Sequence, residues 1–484
     1  MKFKIFLSYL FLFFSIQIFM FTEWLHRYFG KVSFEQILVF LNFGTKGLWD
    51  TDDYVIEKFI QLCIYFPILL IIFIYSIFYT IKYLKIKSRI FSFISKNYFK
   101  LSIGVAFLIS IHFFQMLDIE KQFKNSKTSN FIENNYEFPK LNKIQENNKK
   151  DLLLIYLESF DENFSTKKEL TQKTLDHINF KNIENSKVNN FYETTYNNFT
   201  IGAIVSSQCG IPQKPIGVLD PRFRERTGKH VVEVFGLKNF LPNAICLGDI
   251  LKFNGYENIF MNSISPNFQA MNIFFKDHNY NQIIERNFFI KKGYNNFNSW
   301  GKGVNDRILF NEAKKIIDKM KIQNKNFNLT ILTTDTHYPG YTDNYCIQNN
   351  KKLKLDINFT ITCTSKHLYK FISQVKKEYK ESINIIIVGD HLYPKSSEKN
   401  ENLKVKSIYN RIVNSDIKIL RNEMNHYDLY PTILDLMKLP YDYKIGLGFS
   451  VLRDYKELDY KKYKEDLISE IEKKSDFYYE FWKK

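Results

Sequence analysis

Residues 197–212 read "NNFTIGAIVSSQCGIP", and the reading of Thr200 decides how the whole chain is understood. A polar, aromatic segment gives way here to small and apolar residues, with one threonine at the boundary and a Cys-Gly-Ile-Pro turn beyond. A threonine before an apolar run closes a helix N-terminus by capping. The same position suits a nucleophile, because first-turn N–H groups and the positive dipole end face any anion held there. Ser206 and Ser207 are weaker candidates, a turn or two into the run.

Three further stretches share a feature. "DLLLIYLES" (151–159), "NFNLTILTTDTH" (326–337) and "NIIIVGDH" (384–391) are apolar runs of strand length. Each ends in groups able to bind a metal or a phosphate: Glu158, then Asp335 with His337, then Asp390 with His391. Amphipathic helical stretches lie between, "NDRILFNEAKKIIDKM" (305–320) and "SKHLYKFISQVKKEYK" (365–380). Strands alternating with helices predict an α/β domain with a mainly parallel central sheet flanked by helices. Ligands bind outside the carboxyl ends of such strands, so the three endings share one edge. For any single ending, a carboxylate capping the next helix is the plain alternative. Glu158, Asp390 and His391 form a mixed oxygen and nitrogen set suited to one divalent ion, with Mn²⁺ expected and Mg²⁺ or Zn²⁺ as alternatives. Such an ion activates a threonine hydroxyl, which is otherwise a poor nucleophile.

The 484-residue chain has a formal net charge of +17, mostly from dispersed lysines. It has no arginine-rich helix and no nucleic-acid-binding motif, so no nucleic-acid partner is expected. Residues 3–22, 60–81 and 101–117 are apolar runs close to the ~20 residues that cross a bilayer as a helix. The first exceeds the ~7–15-residue apolar core of a cleaved signal and lacks a small-x-small site, so it reads as an uncleaved anchor. Pro67 falls inside the second, where membrane helices tolerate a kink.

The 82–100 loop holds Lys82, Lys85, Lys87, Arg89, Lys96 and Lys100 and no acid. The 23–55 loop mixes Arg27, Lys31 and Lys46 with Glu23, Glu35, Asp50, Asp52 and Asp53. The positive-inside rule puts 82–100 in the cytoplasm. A multi-pass protein of the cytoplasmic (inner) membrane follows, with everything after residue 117 facing the periplasm or cell exterior. Cys209, Cys246, Cys346 and Cys363 lie in that part and allow two disulfides, with three connectivities open. The expected organisation is a membrane anchor (1–117), a polar Asn/Lys-rich linker (118–149), a catalytic domain (150–454) and a charged C-terminal surface helix (455–484).

"LIYLESF", "TIGAIVSSQCGIP", "NAICLGDILKFNGYENIFM", "WGKGVNDRIL", "LTTDTHYPG", "IIVGDH" and "HYDLYPTILDL" occur in that order. Together they resemble the phosphoglycerol transferases that decorate periplasmic glucans. That family is grouped with lipoteichoic acid synthases and phosphoethanolamine transferases in the sulfatase and alkaline phosphatase superfamily. The resemblance covers roughly residues 150–450 and implies a sulfatase-like fold. It makes Thr200 the nucleophile and Glu158, Asp390, His391 and the Thr200 oxygen the metal ligands. His337 and His278 become substrate-binding residues, with Asp335 and His426 read as structural. It also implies Cys209–Cys246 and Cys346–Cys363 bridges.

The implied reaction moves phosphoglycerol from phosphatidylglycerol to a glycan acceptor through a covalent intermediate on Thr200. Phosphoethanolamine transfer to glycan or lipid A, phosphodiester hydrolysis and a non-catalytic envelope scaffold are the alternatives. Sulfate ester hydrolysis is disfavoured, since Thr200 lacks a Cys/Ser-x-Pro-x-Arg context. Two positions depart from the glucan-modifying pattern. Ala270-Met271 stands where Gly-Lys is usual, leaving Lys276 as a substitute one helical turn away, and Phe449 replaces an arginine.

Overall fold

In a computed structural model of the chain, the described residues are 2–29, 32, 34, 37–38, 53–86, 88–120, 128–144, 149–216, 232–233, 236–265, 267–347, 356–394, 406–413 and 417–483. Residues 121–127 and 145–148 of the expected linker lie outside them, as do Lys31, Glu35, Lys46, Asp50, Asp52 and Lys87 of the loops read for topology. The chain divides into two units, Met1–Ile37 with Asp52–Lys124, and Leu38–Thr51 with Asn125–Lys484.

The first unit is helical. Helix α1 spans Lys2–Phe29; α2 (Asp53–Phe59) continues through a π-helical turn, Ile60–Tyr65, into α3 (Phe66–Tyr83), and α4 spans Arg89–Met116. Pro67 lies at the start of α3 and has no N–H to bond backwards, so the wider turn sits where the regular ladder is interrupted. Phe3–Phe29, Asp53–Tyr83 and Arg89–Met116 are each long and apolar enough to cross a membrane. Ser8, Ser15 and Thr22 are buried at seven-residue spacing along α1. Each hydroxyl donates to the carbonyl four residues back, at 2.8, 2.6 and 2.8 Å, so no polar group is left unpaired there.

The second unit is built on a six-stranded sheet. Its strands are β1 (Asp151–Leu157), β2 (Glu257–Met261), β3 (Gln282–Ile284), β4 (Phe327–Leu332), β5 (Ile383–Gly389) and β6 (Asn410–Ile412). In space the order is β3-β2-β4-β1-β5-β6, parallel throughout except for antiparallel β6 at one edge. This is the mainly parallel architecture that the sequence predicts. Side-chain alternation divides the core: Leu152, Leu154 and Tyr156 join one apolar cluster, while Leu153, Ile155 and Leu157 join the other.

Helices cover both faces. On the first lie α5 (Thr200–Cys209) and α8 (His426–Leu436), contributing Ile201, Ile204, Val205, Leu429 and Ile433. On the second lie α6 (Asp306–Ile322) and α7 (Ile357–Tyr379), contributing Leu309, Ile317, Leu368 and Ile372. Helix α7 begins eight residues before the periodic stretch read at 365, because Asp356 caps it through the N–H groups of Asn358 and Phe359.

Two segments pack more closely than their composition implied. Of the expected linker, Phe131, Ile132, Tyr136 and Ile144 are buried in the first apolar cluster, and bridges join Thr128 to Lys474 and Glu137 to Gly446. The C-terminal segment is not only a charged surface helix. Helix α9 (Tyr460–Glu470) and the turn Phe477–Trp482 bury Tyr460, Tyr463, Leu467, Tyr478, Phe481 and Trp482. Their charged neighbours dilute the composition, but Tyr460, Tyr463 and Leu467 fall on one face of α9.

Candidate active site

Three neighbouring strands deliver the candidate residues to one edge of the sheet. Glu158 follows β1 directly, Asp390 and His391 follow β5, and Asp335 to His337 follow β4 by a few residues. Gly389 allows the β5 end to turn beside β1, since a Cβ there would collide with the Phe160 carbonyl. Thr200 is the first residue of α5, and the N-cap is Phe199, which offers no side-chain oxygen. The capping reading of Thr200 therefore does not hold. Its hydroxyl lies 3.5 Å from Glu158 Oε2.

The acidic groups are held from behind. Asp390 Oδ1 accepts from the Ser159 N–H at 2.7 Å and the His391 N–H at 2.8 Å. Its Oδ2 is buried without a hydrogen-bond partner among the described residues. The Ser159 hydroxyl donates to Glu158 Oε1 at 2.7 Å. His391 Nδ1 donates to the Leu392 carbonyl at 3.0 Å, which leaves Nε2 3.5 Å from both Glu158 Oε1 and Asp390 Oδ2. One ligand atom from each of Glu158, Asp390 and His391 lies within 4.8 Å of the others.

Burial and the Glu158 charge push Asp390 up to about 7. Burial also acts to raise Glu158, but the His391 hydrogen bond and the His337 and His391 charges outweigh it and hold Glu158 at about 2. Burial acts to lower His391, yet Asp390 and Glu158 raise it to about 10. Two crowded carboxylates, an orphaned buried oxygen, an imidazole nitrogen and a hydroxyl are a donor set that a divalent cation satisfies. The residues present fit the group.

His337 repeats the His391 arrangement, its Nδ1 donating to the Tyr338 carbonyl at 3.1 Å. Its ring stacks on Trp300, with centroids 4.3 Å apart and planes at 19°. The Thr336 hydroxyl donates to the Glu158 carbonyl, tying this loop to the metal-type cluster. Trp300 had no role assigned from the sequence. Nor did Glu193, whose carboxylate accepts from the Leu392 N–H beside His391 and which burial pushes up. A tryptophan inside the "WGKGVNDRIL" motif was the available signal for the first; nothing local marked the second.

His278 sits elsewhere. It is 2% exposed, with Nδ1 2.9 Å from Asp249 Oδ2 and Nε2 3.1 Å from the Phe240 carbonyl. Both ring nitrogens are engaged in holding Asp249 and Phe240 together, so the substrate-binding expectation for His278 is corrected to a structural one. Asp335 receives hydrogen bonds from Asn305 Nδ2 and the Asp306 N–H, each at 2.9 Å, and supports the loop from below. His426 is buried against Phe191, with ring centroids 4.7 Å apart, and burial lowers it to about 3. Met271 and Phe449 are both buried in the apolar core, and Lys276 is exposed on the next turn.

Cys209 is bridged to Cys246 and Cys346 to Cys363, with Cα–Cα distances of 4.2 and 6.0 Å. The first bridge ties the end of α5 to the segment before the helix Leu247–Phe253. His278 and His367 lie beside these bridges, but a bridged sulfur offers no thiolate to a metal.

The profile of the family described as Sulfatase matches residues 150–439. Phosphoglycerol transferase I of Escherichia coli O127:H6 is 30% identical over 273 residues, which are 53% of this chain and 33% of that protein. The chain thus spans about a third of the length of that relative. Among solved structures, a protein in the alkaline phosphatase superfamily from Vibrio parahaemolyticus gives a TM-score of 0.48 at 20% identity, covering 66% of this chain and 72% of that one. The lipoteichoic acid synthase LtaP from Listeria monocytogenes gives 0.48 at 17% identity, covering 64% and 79%.

Proposed function

The chain belongs to the sulfatase family, and on that premise we propose that it is a membrane-anchored phosphotransferase. In this reading it moves phosphoglycerol from phosphatidylglycerol to an extracytoplasmic glycan, with Thr200 as the covalent carrier. The observation that carries the reading is the Thr200 hydroxyl at the start of α5, 3.5 Å from Glu158 in a cluster with Asp390 and His391. Glu158, Asp390, His391 and the Thr200 oxygen would hold one divalent ion, manganese before magnesium or zinc. When bound, it supplies a lowered hydroxyl pKa and positive charge opposite the phosphoryl oxygens.

Thr200 Oγ forms a bond to phosphorus as the bond from phosphorus to the diacylglycerol oxygen breaks. The proton lost by Thr200 is made good on the departing diacylglycerol, and His337 is assigned in this reading to pass it through Nε2. A glycan hydroxyl then attacks the same phosphorus, the Thr200 ester breaks, and the acceptor's proton returns to Thr200. Trp300 holds the His337 ring by stacking, and Thr200 sits at the positive end of the α5 dipole.

Two observations support an extracytoplasmic catalytic unit: the acid-free basic segment 82–100, most of it the N-terminal part of α4 and not the loop expected, and the Cys209–Cys246 and Cys346–Cys363 bridges. Diacylglycerol release from matched phosphatidylglycerol and phosphatidylethanolamine vesicles tests the donor. Release from phosphatidylglycerol that requires a glycan acceptor supports the reading. Preference for phosphatidylethanolamine replaces the substituent, and release without an acceptor makes the protein a phosphodiesterase.

A further inference from the structure

We infer that Gln269 is a positioning residue for the nucleophile, and that the turn Phe268–Ala270 sets the spacing between Thr200 and His337. The inference rests on the proposed role of Thr200. Helix α5 has no side-chain cap of its own, because Phe199 occupies the cap position. The free N–H of its second residue, Ile201, is taken by a side chain from a distant part of the chain: it donates to Gln269 Oε1 at 2.8 Å in a buried hydrogen bond. Such first-turn donors have no partner within the helix, so whatever accepts from them fixes how the first residue is presented.

The same turn reaches the other half of the site. Phe268 packs edge-on against Trp300, with centroids 4.7 Å apart and planes at 76°, and Trp300 in turn stacks on His337. One three-residue turn thus contacts the nucleophile helix through Gln269 and the histidine stack through Phe268. Its backbone is unusual. Gln269 and Ala270 are consecutive residues in the left-handed region, at φ 50° and 55°, and neither is glycine. Side chains disfavour that conformation, and it persists only where the surroundings over-determine it. Here the hydrogen bonds Phe268 N–H to Ser265 O, at 3.2 Å, and Ala270 N–H to Asn267 O, at 3.1 Å, hold the turn. Met271 begins the next helix buried in the core, which anchors it from the far side.

Gln269→Ala removes the acceptor, while Gln269→Glu keeps an oxygen for the Ile201 N–H and places a negative charge beside the anionic substrate. Two readouts on the full chain in detergent with Mn²⁺ separate the possibilities. The first is hydrogen exchange over residues 197–209, which needs no substrate. The second is turnover of bis(4-nitrophenyl) phosphate.

In Gln269→Ala, exchange at Ile201 is expected to quicken at least about tenfold and kcat to fall about 10- to 100-fold, with KM within about twofold, because a small displacement of a reacting group acts on kcat. Gln269→Glu is expected to restore protection and bring kcat back to within about threefold, with a raised KM from charge repulsion. Unchanged exchange and kcat in Gln269→Ala overturn the inference. So does Gln269→Glu that keeps protection yet loses kcat as far as alanine does. If the parent turns over no phosphodiester, the proposed function fails, and the exchange result still decides whether Gln269 holds the helix.

Discussion

His391 Nε2 stands 3.5 Å from Glu158 Oε1 and at the same distance from Asp390 Oδ2. One imidazole lies between two buried carboxylates: burial and the Glu158 charge raise Asp390, while the His391 hydrogen bond and the His337 and His391 charges hold Glu158 low against its burial. Asp390→Asn removes one of the repelling charges. The metal-free protein is then expected to gain stability by about 1 kcal/mol and the protein with Mn²⁺ to lose it, since the ion no longer binds the native state tightly. Thermal unfolding of the full chain in detergent, with and without Mn²⁺, checks the crossing. A variant less stable than the parent under both conditions contradicts it.

Arg411 is 1% exposed and grips Glu162 with two nitrogens, at 2.8 and 3.1 Å. Its guanidinium also covers the Tyr409 ring at 4.3 Å. Arg411→Met leaves Glu162 with the Ser165 hydroxyl, at 3.0 Å, and the half-exposed Lys187, at 2.7 Å, as its one remaining cation among the described residues. The expected loss is about 2–4 kcal/mol, because one partner of a buried pair is left behind. Denaturant titration measures it, and a loss within experimental error would remove the pair from the stability account.

Asp306 and Asp335 form a second acidic pair, each raised, chiefly by burial; Asp306 reaches about 7. A carboxyl whose pKa is raised on folding stabilises the native state fully below its ordinary value near 3.8, and that stability is lost as pH rises through about 7. Asp306→Asn keeps the shape without the charge. It is expected to match the parent at acidic pH and to exceed it by roughly 1–2 kcal/mol at mildly alkaline pH. Melting curves on both sides of neutrality read the difference, and parallel curves refute it.

The Cys346–Cys363 bridge closes a loop of 17 residues. Replacing both by serine is expected to cost about 3 kcal/mol by the chain-entropy account. Cys363 is on α7, which packs on the opposite face of the sheet from α5 and Thr200, so turnover below the new melting point should be unchanged. Intact mass with and without reductant first establishes whether the thiols are paired.

Strands β1, β4 and β5 were legible in the sequence because each is a mainly apolar run buried on both faces, with Asn328, Thr330 and Asn384 among the few polar members. β3 and β6, three residues each, carry no pattern that distinguishes them from a loop. The convergence of Glu158, Asp390 and His391 was legible because each follows a strand end. His278 was misread because what engages it is tertiary: Asp249 lies 29 residues away in sequence. Gln269 gave no signal in the sequence, since the amide it holds is 68 residues away. Trp482 and its aromatic neighbours were hidden by the lysines and acids around them.

Thr200 is the residue proposed to carry the transferred group. Intact-protein mass spectrometry of the full chain, incubated with Mn²⁺ and phosphatidylglycerol without an acceptor, tests it most directly alongside Thr200→Ala. A glycerophosphoryl adduct that maps to Thr200 is expected in the parent, with diacylglycerol released, and none in the variant. An adduct of the same mass on Thr200→Ala, or undiminished phosphodiester turnover by that variant, would contradict it.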